Sequence, residues 1–237
     1  MGSRSLIALV ATGLATAAYA DEAAVRATVQ RLFPNAEAPT VASTPIPGLL
    51  EAAVDGQVFY VTEDGRYLLG GPLVDVRAKR NLTDARLAQI NRIAFDTLDT
   101  RLAISWVQGS GARKLAIFED PDCPYCKALE TTLKEIDDLT VYVFLYPIDQ
   151  LHPEAAAKSR AVWCAPDRTK AWAEVMRAGV APVGTANCAD PIAEIAAFAK
   201  RHRINGTPTL VLADGTRLVG AVPRAQLEAE LRRASKP

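Results

Sequence analysis

The stretch FEDPDCPYCKALE, Phe118 to Glu130, decides the reading of this chain: it holds two cysteines, Cys123 and Cys126, separated by two residues. A pair so spaced serves as a metal clip, a haem tether, a structural staple or a redox catalyst, and each job needs different surroundings. Haem attachment needs a histidine directly after the second cysteine, and Lys127 stands there instead. A structural zinc site wants four ligands, usually as two knuckles. Cys164 and Cys188 form no second knuckle, and His152 and His202 lack ligand spacing, so no metal is expected. A plain structural disulfide across two residues would be strained, and strained disulfides are the labile ones.

The redox reading accounts for the neighbours. KLAIFE, ahead of the pair, reads as a strand, and the residues from Pro124 to about Ile136 read as a helix. Pro124 suits the first helical position, where its missing N–H costs nothing. Cys123 then falls at the N-cap, beside orphan N–H groups and the positive end of the helix dipole, both of which favour thiolate over thiol. Cys126 lies one turn on, on the same side and deeper, placed to attack a mixed disulfide formed at Cys123. Tyr125 adjoins both thiols and reads either as a substrate contact or as a solvent-facing spacer.

Working outward, the region from Lys114 gives strand, CxxC, helix and a second strand, TVYVFLYPI. A helix-rich stretch follows from His152 to His202. NGTPTLVLADGTRLVG then makes a strand hairpin around Asp214-Gly215, and a last helix runs from Pro223. That order is an α/β layout with a mixed sheet and a helical insertion. GTPT, Gly206 to Thr209, places Pro208 at the start of an apolar strand, where the plain reading is a strand-initiating proline.

The region from Asp21 to about Thr83 reads differently. DEAAVRATVQRLF is helical, with Ala24, Val25, Thr28, Val29, Leu32 and Phe33 on one face and Pro34 ending it. LLEAAV, QVFYVT, RYLLGG and LVDVRA read as strands, with Asp55-Gly56 and Glu63-Asp64-Gly65 as hairpin turns. This is a small α+β unit whose thin core calls for self-association. LTDARLAQINRIAFDTL, Leu82 to Leu98, reads as a connecting helix, with Thr83 as its cap and a stripe of Leu87, Ile90, Ile93, Ala94 and Leu98.

Charge and composition bound the partners. In 237 residues, 27 Lys plus Arg balance 27 Asp plus Glu, so nucleic acid is not an expected partner. MGSRSLIALVATGLATAAYA has an early Arg4, an apolar stretch from Leu6 and a small-x-small ending at Ala18-Tyr19-Ala20. It reads as a secretory signal peptide cleaved after Ala20. Export places the four cysteines in an oxidising compartment. Cys164 and Cys188, which flank part of the helical insertion, read as a loop-closing disulfide worth about 3 kcal/mol, with a second redox pair as the alternative. His152, in LHP, reads as a turn or packing residue, and Trp106, Trp163 and Trp172 as core or interface aromatics.

Taken together, DPDCPYCK after an apolar strand and GTP before a late strand resemble the thioredoxin superfamily. The exported small N-terminal domain, GRYLLGGPLVDV and the connecting helix ahead of CPYC resemble, over nearly all the mature chain, the periplasmic disulfide isomerases of the DsbC/DsbG type. The resemblance implies a signal peptide over 1–20, a cystatin-like dimerisation domain over 21–81, a linker helix over 82–100 and a thioredoxin-like catalytic domain over 101–237. It implies catalytic Cys123 and Cys126, and a cis Thr207-Pro208 bond which, with Tyr125, contacts substrate. It implies a structural Cys164–Cys188 disulfide and a homodimer edge around Leu69, Gly70 and Gly71. Expected partners are misfolded disulfide-containing exported proteins and a membrane thiol reductant of the DsbD type; no cofactor is expected. The alternatives within this reading are a DsbG-like reductase or oxidase and a redox-active holding chaperone. One departure stands out. Thioredoxins place a buried carboxylate six residues before the first cysteine, where this chain has Ile117. Glu119 is expected to point differently on the strand, which leaves the proton of Cys126 without an acceptor. The Pro124-Tyr125 dipeptide lacks the histidine of the strongest oxidants, so a less extreme potential is expected.

Overall fold

A computed structural model describes residues 16–180, 182 and 188–235. The signal peptide read over residues 1–20 lies outside the described residues as far as residue 15. Among the described residues no helix is long and apolar enough to cross a membrane. The chain divides between Leu87 and Ala88 into two compact units.

The first unit opens with helix α1, Thr16–Leu32, followed by β1 (Thr40–Ser43), β2 (Leu49–Val54), β3 (Gln57–Thr62) and β4 (Leu68–Gly70). These strands form one antiparallel sheet in sequence order. Val25 and Val29 of α1 are fully buried against Ala52, Val54 and Val61, and Phe33 packs beside them. Leu32, expected on that face, is 56% exposed at the helix end. The Asp55-Gly56 hairpin forms as expected, both residues taking positive φ (48° and 76°). At the next turn Gly65 sits so close to α1 that a Cβ there would lie 2.8 Å from the Thr28 hydroxyl. Only glycine fits that approach.

Two strand expectations change. Thr40–Ser43 pairs with β2 although its sequence gives little apolar alternation. LVDVRA supplies only β5, Val74–Asp75, which pairs with β6, Arg80–Asn81, in a separate two-stranded sheet. Helix α2 then runs Leu82–Ile90 and does not continue to Leu98. Its cap is Asn81, whose Oδ1 accepts from the Asp84 N–H at 3.2 Å. Thr83 instead is buried, with its hydroxyl 2.5 Å from the Tyr60 hydroxyl and accepting from the Leu73 N–H at 2.7 Å.

The second unit takes up the rest of that apolar stripe. The Ile93 N–H donates to the Gly215 carbonyl at 3.0 Å, and Arg92 donates to the Asp214 carbonyl at 2.6 Å. Ile93 and Leu98 are buried in this unit's core rather than exposed on a connecting helix. Two short 3-10 turns, Phe95–Thr97 and Thr100–Leu102, lead into the strands. The strands are β7 (Ile104–Gln108), β8 (Arg113–Glu119), β9 (Leu139–Leu145), β10 (Thr209–Leu212) and β11 (Arg217–Val219). Their order in the sheet is β11-β10-β8-β9-β7, with β8 and β9 parallel and the other pairs antiparallel. Around them lie α3 (Pro124–Leu133), α4 (Ala155–Trp163), α5 (Arg168–Ala178), α6 (Ile192–Arg201) and α7 (Arg224–Ala234).

Central strand β8 is covered on both faces, which is why KLAIFE reads as an unbroken apolar run. Leu115 and Ile117 face the core shared with α3, α5 and α7, whereas Ala116 and Phe118 face the core shared with α6. Trp163 and Trp172 are buried in the first of these cores, and Trp106 packs half-buried at its margin.

Candidate active site

The two cysteines sit where β8 hands the chain to α3. Cys123 is the N-cap of α3 with extended backbone (φ −70°, ψ 120°), Pro124 occupies the first turn, and the Lys127 N–H donates to the Cys123 carbonyl at 3.2 Å. The connecting loop is held by Asp120, a fully buried carboxylate. Its Oδ1 accepts from the Asp122 N–H at 2.8 Å and its Oδ2 from the Ile148 N–H at 2.7 Å. His152 lies beside it, Nδ1 3.1 Å from Oδ2. Asp122 is in turn paired with Lys158 at 2.8 Å.

Cys123 and Cys126 are both buried and both free thiols. They titrate in opposite directions. The Cys123 pKa is lowered to about 5, first by hydrogen bonding from the Cys126 thiol, with further help from the Thr207 side chain and the backbone N–H groups of Cys126 and Tyr125, against the cost of burial. Cys126 is pushed up by burial, by its bond to the Cys123 sulfur and by the negative charge of Glu119. One sulfur is thus a thiolate at neutral pH and the other holds its proton.

Thr207 and Pro208 lie across from the cysteines. The Thr207–Pro208 bond is cis, and the Cys123 Sγ lies 3.4 Å from the Thr207 carbonyl oxygen, to which the protonated thiol donates. Tyr125 is 65% exposed beside them. Cys164 and Cys188 are joined to each other in a disulfide, which leaves Cys123 and Cys126 as the free thiols. Leu69, Gly70 and Gly71 belong to the first unit, at and just beyond the edge strand β4.

Two carboxyl groups not singled out as functional complete the site. Glu119 ends β8 on the same side as Leu115 and Ile117, because strand residues two apart share a face. That corrects the expectation that it would point differently from Ile117; the alternation of the strand already carried the signal. Glu119 is fully buried. Burial pushes its pKa well up, with the charge of Glu130, a side-chain hydrogen bond between the two carboxyl groups and the charge of Cys123 adding to the effect. Glu130 falls in the buried stripe of α3 with Cys126, Leu129 and Leu133. Its Oε1 accepts from the Trp172 Nε1–H at 2.8 Å. Burial raises its pKa too, opposed by that N–H and by the charges of Arg177 and Lys134.

A thiolate at a helix N-terminus, a protonated thiol one turn behind it and a cis proline alongside, on a mixed five-stranded sheet, define a thiol–disulfide oxidoreductase of thioredoxin fold. Residues 100–235 match the family described as thioredoxin-like domain, and residues 16–84 match the disulfide bond isomerase protein N-terminal domain. The chain is 42% identical over 210 residues to the probable thiol:disulfide interchange protein DsbC of Bordetella avium, covering 89% of this chain and 74% of that one. It is 32% identical over 232 residues to the thiol:disulfide interchange protein DsbC of Dickeya dadantii, covering 95% and 93%. A crystal structure of a disulfide interchange protein from Neisseria gonorrhoeae superposes with a TM-score of 0.56 at 44% identity, over 59% of this chain and 100% of that one. The chain belongs to the DsbC family of thiol:disulfide interchange proteins.

Proposed function

We propose that the chain is a periplasmic, homodimeric disulfide isomerase in which Cys123 attacks and Cys126 resolves. The observation that carries this reading is a pair of free thiols in one helix turn, Cys123 at the N-cap of α3 and Cys126 buried behind it, in a chain that also bears an isomerase-type N-terminal domain. The Cys123 thiolate attacks one sulfur of a wrong disulfide in an exported protein, forming a mixed disulfide and expelling a substrate thiolate. A second substrate thiolate then attacks the substrate sulfur of that bond, leaving a rearranged disulfide and regenerating the Cys123 thiolate, with no net oxidation. When no substrate thiol is in reach, Cys126 attacks the Cys123 sulfur, releases a reduced substrate and leaves the enzyme oxidised. Two electrons from a thiol reductant of the DsbD type then return it to the dithiol state.

Substrate lies against Tyr125, which is exposed next to the thiols in sequence, and against the Thr207–Pro208 backbone, whose Thr207 carbonyl lies 3.4 Å from the Cys123 Sγ. The first unit supplies the dimer contact at Leu69, Gly70 and Gly71. Stabilising the thiolate also stabilises the reduced form, which favours an oxidising pair and puts an oxidase of exported thiols ahead of a reductase within the second, oxidoreductase reading.

Reactivation of scrambled, fully oxidised ribonuclease separates the two. The chain from Asp21 is expected to restore activity, and a variant lacking residues 21–87 is expected to lose most of that ability. No reactivation by the full chain, with its CxxC shown to be reducible, sinks the isomerase reading and leaves the oxidoreductase one.

A further inference from the structure

Away from the helix end that carries the thiols, the second unit holds a cavity of about 300 Å³ between β7, the end of α3 and α5. Its floor is apolar and aromatic: Trp172 and Leu133 are buried there, and Trp106 and Ala173 are half-buried at its sides. The donors on this wall are already in use. The Trp106 indole N–H donates to the Gln108 Oε1 at 3.1 Å, and the Gln108 Nε2 donates to the Leu133 and Ile136 carbonyls at 3.2 and 3.1 Å. The Trp172 indole N–H donates to the Glu130 Oε1 at 2.8 Å, and the Thr169 hydroxyl donates to the Ser105 carbonyl at 3.4 Å. With their N–H groups taken, the two indoles offer a ligand their ring faces. The charged side chains on the wall are Lys134, Arg177 and Glu130. Both cations are exposed, so they stand at the mouth, whereas Glu130 is buried. Burial also raises the Glu130 pKa, which works against its negative charge. The cavity therefore combines an aromatic floor with an excess of positive charge at its opening.

We propose that this cavity binds a small organic anion, with a flat apolar body of one or two rings against Trp106 and Trp172 and a carboxylate or sulfonate at Lys134 and Arg177. Each half of such a ligand has its match. Flat π-systems stack favourably on indole faces, and the guanidinium fork of Arg177 fits the two oxygens of a carboxylate. A neutral polar ligand finds the floor's donors in use, and an organic cation meets two like charges, so the same wall discriminates against both. Ligand pockets begin at about this size, which suits a one- or two-ring molecule rather than a length of peptide. Helix α3 has ten residues, about 15 Å at the rise of an α-helix, and that length separates the mouth from Cys123. The site needs neither thiol and stands whether or not the isomerase reading does.

The test uses the chain from Asp21 labelled with nitrogen-15, with 1-naphthoate as the probe. Its three tryptophans give three indole N–H signals, assigned by single Trp→Phe variants. Titration is expected to shift the Trp106 and Trp172 signals along one saturable curve, with Trp163, outside the cavity wall, moving least. The uncharged 1-naphthamide is expected to bind about tenfold more weakly. Lys134→Gln combined with Arg177→Gln should weaken naphthoate by about the same factor and leave naphthamide unchanged, a difference that general damage to the fold would not produce. Trp106→Ala should weaken both probes. Absence of a saturable shift at Trp106 and Trp172 overturns the site, and so does a shift that saturates at Trp163 instead. Equal affinity for naphthoate and naphthamide, or naphthoate binding unchanged in the double glutamine variant, overturns the anion at its mouth.

Discussion

Cys123 and Cys126 are chemically identical side chains three residues apart in one helix turn, and their surroundings pull them in opposite directions. Cys123 collects hydrogen bonds to its anion, whereas Cys126 pays for burial and for two neighbouring negative charges. The sign of the stability effect follows. A thiol whose folded pKa lies near 5 stabilises the folded state fully above the free-thiol range, near 8.5, and loses that contribution as pH falls towards 5. The raised Cys126 contributes oppositely, but only in alkaline solution. In reductant, the urea midpoint of the chain should therefore rise relative to that of Cys123→Ser between about pH 5 and pH 8.5. Iodoacetamide should alkylate Cys123 with a half-maximal rate near pH 5. A pH-independent difference between the two chains, or an alkylation midpoint above pH 8, rules out the depressed pKa. The cysteine spacing and Pro124 made this asymmetry legible in sequence, since both follow from position along one helix. Glu119 is not legible from the thioredoxin position, which Ile117 occupies, but the alternation of its own strand puts it on the same face as Ile117.

At the scale of elements, what holds the thiols in place is the junction between β8, α3 and the chain after β9. Asp120 ties it with bonds to the N–H groups of Asp122 and Ile148. Bonds to a buried carboxylate are stronger than neutral ones, so Asp120→Ala should cost about 3 kcal/mol of unfolding free energy. Asp120→Asn, which keeps one acceptor oxygen, should cost less. Urea denaturation of both variants checks the ordering, and a neutral Asp120→Ala removes Asp120 as the tie. Nothing in DPDC identifies Asp120 as buried, because its partner Ile148 lies far along the chain. The same limit explains the connecting helix. Leu87, Ile90, Ile93 and Leu98 keep a helical period, yet Ile93 and Leu98 belong to the core of the second unit, and tertiary packing overrides the local pattern. Hairpins survived better, since Asp55-Gly56 and Asp214-Gly215 specify their turns by residues that tolerate the required backbone.

For the whole molecule, the decisive question is whether two copies pair, because the isomerase reading proposed above needs a misfolded chain held while its disulfides exchange. The first unit buries a small core of Val25, Val29, Ala52, Val54 and Val61, thin for a domain of its length. Its sheet ends at β4, where Leu69 is 50% exposed and Gly70 and Gly71 leave the backbone open to approach. An edge of this kind is a template for pairing with another strand. If two copies pair there about a two-fold axis, the same few residues meet their own counterparts, and like charges placed opposite each other destabilise the pair. Leu69→Lys should therefore convert the dimer to a monomer by light scattering while costing the exposed monomer surface little. Its rate of thiolate release from 5,5′-dithiobis(2-nitrobenzoate), read on attack by Cys123, should match that of the unsubstituted chain, because the thiols lie in the other unit. Reactivation of scrambled ribonuclease should fall towards the level of the variant lacking residues 21–87. A Leu69→Lys chain that stays dimeric moves the interface elsewhere on the first unit, and a monomer that still reactivates ribonuclease separates isomerisation from dimerisation altogether.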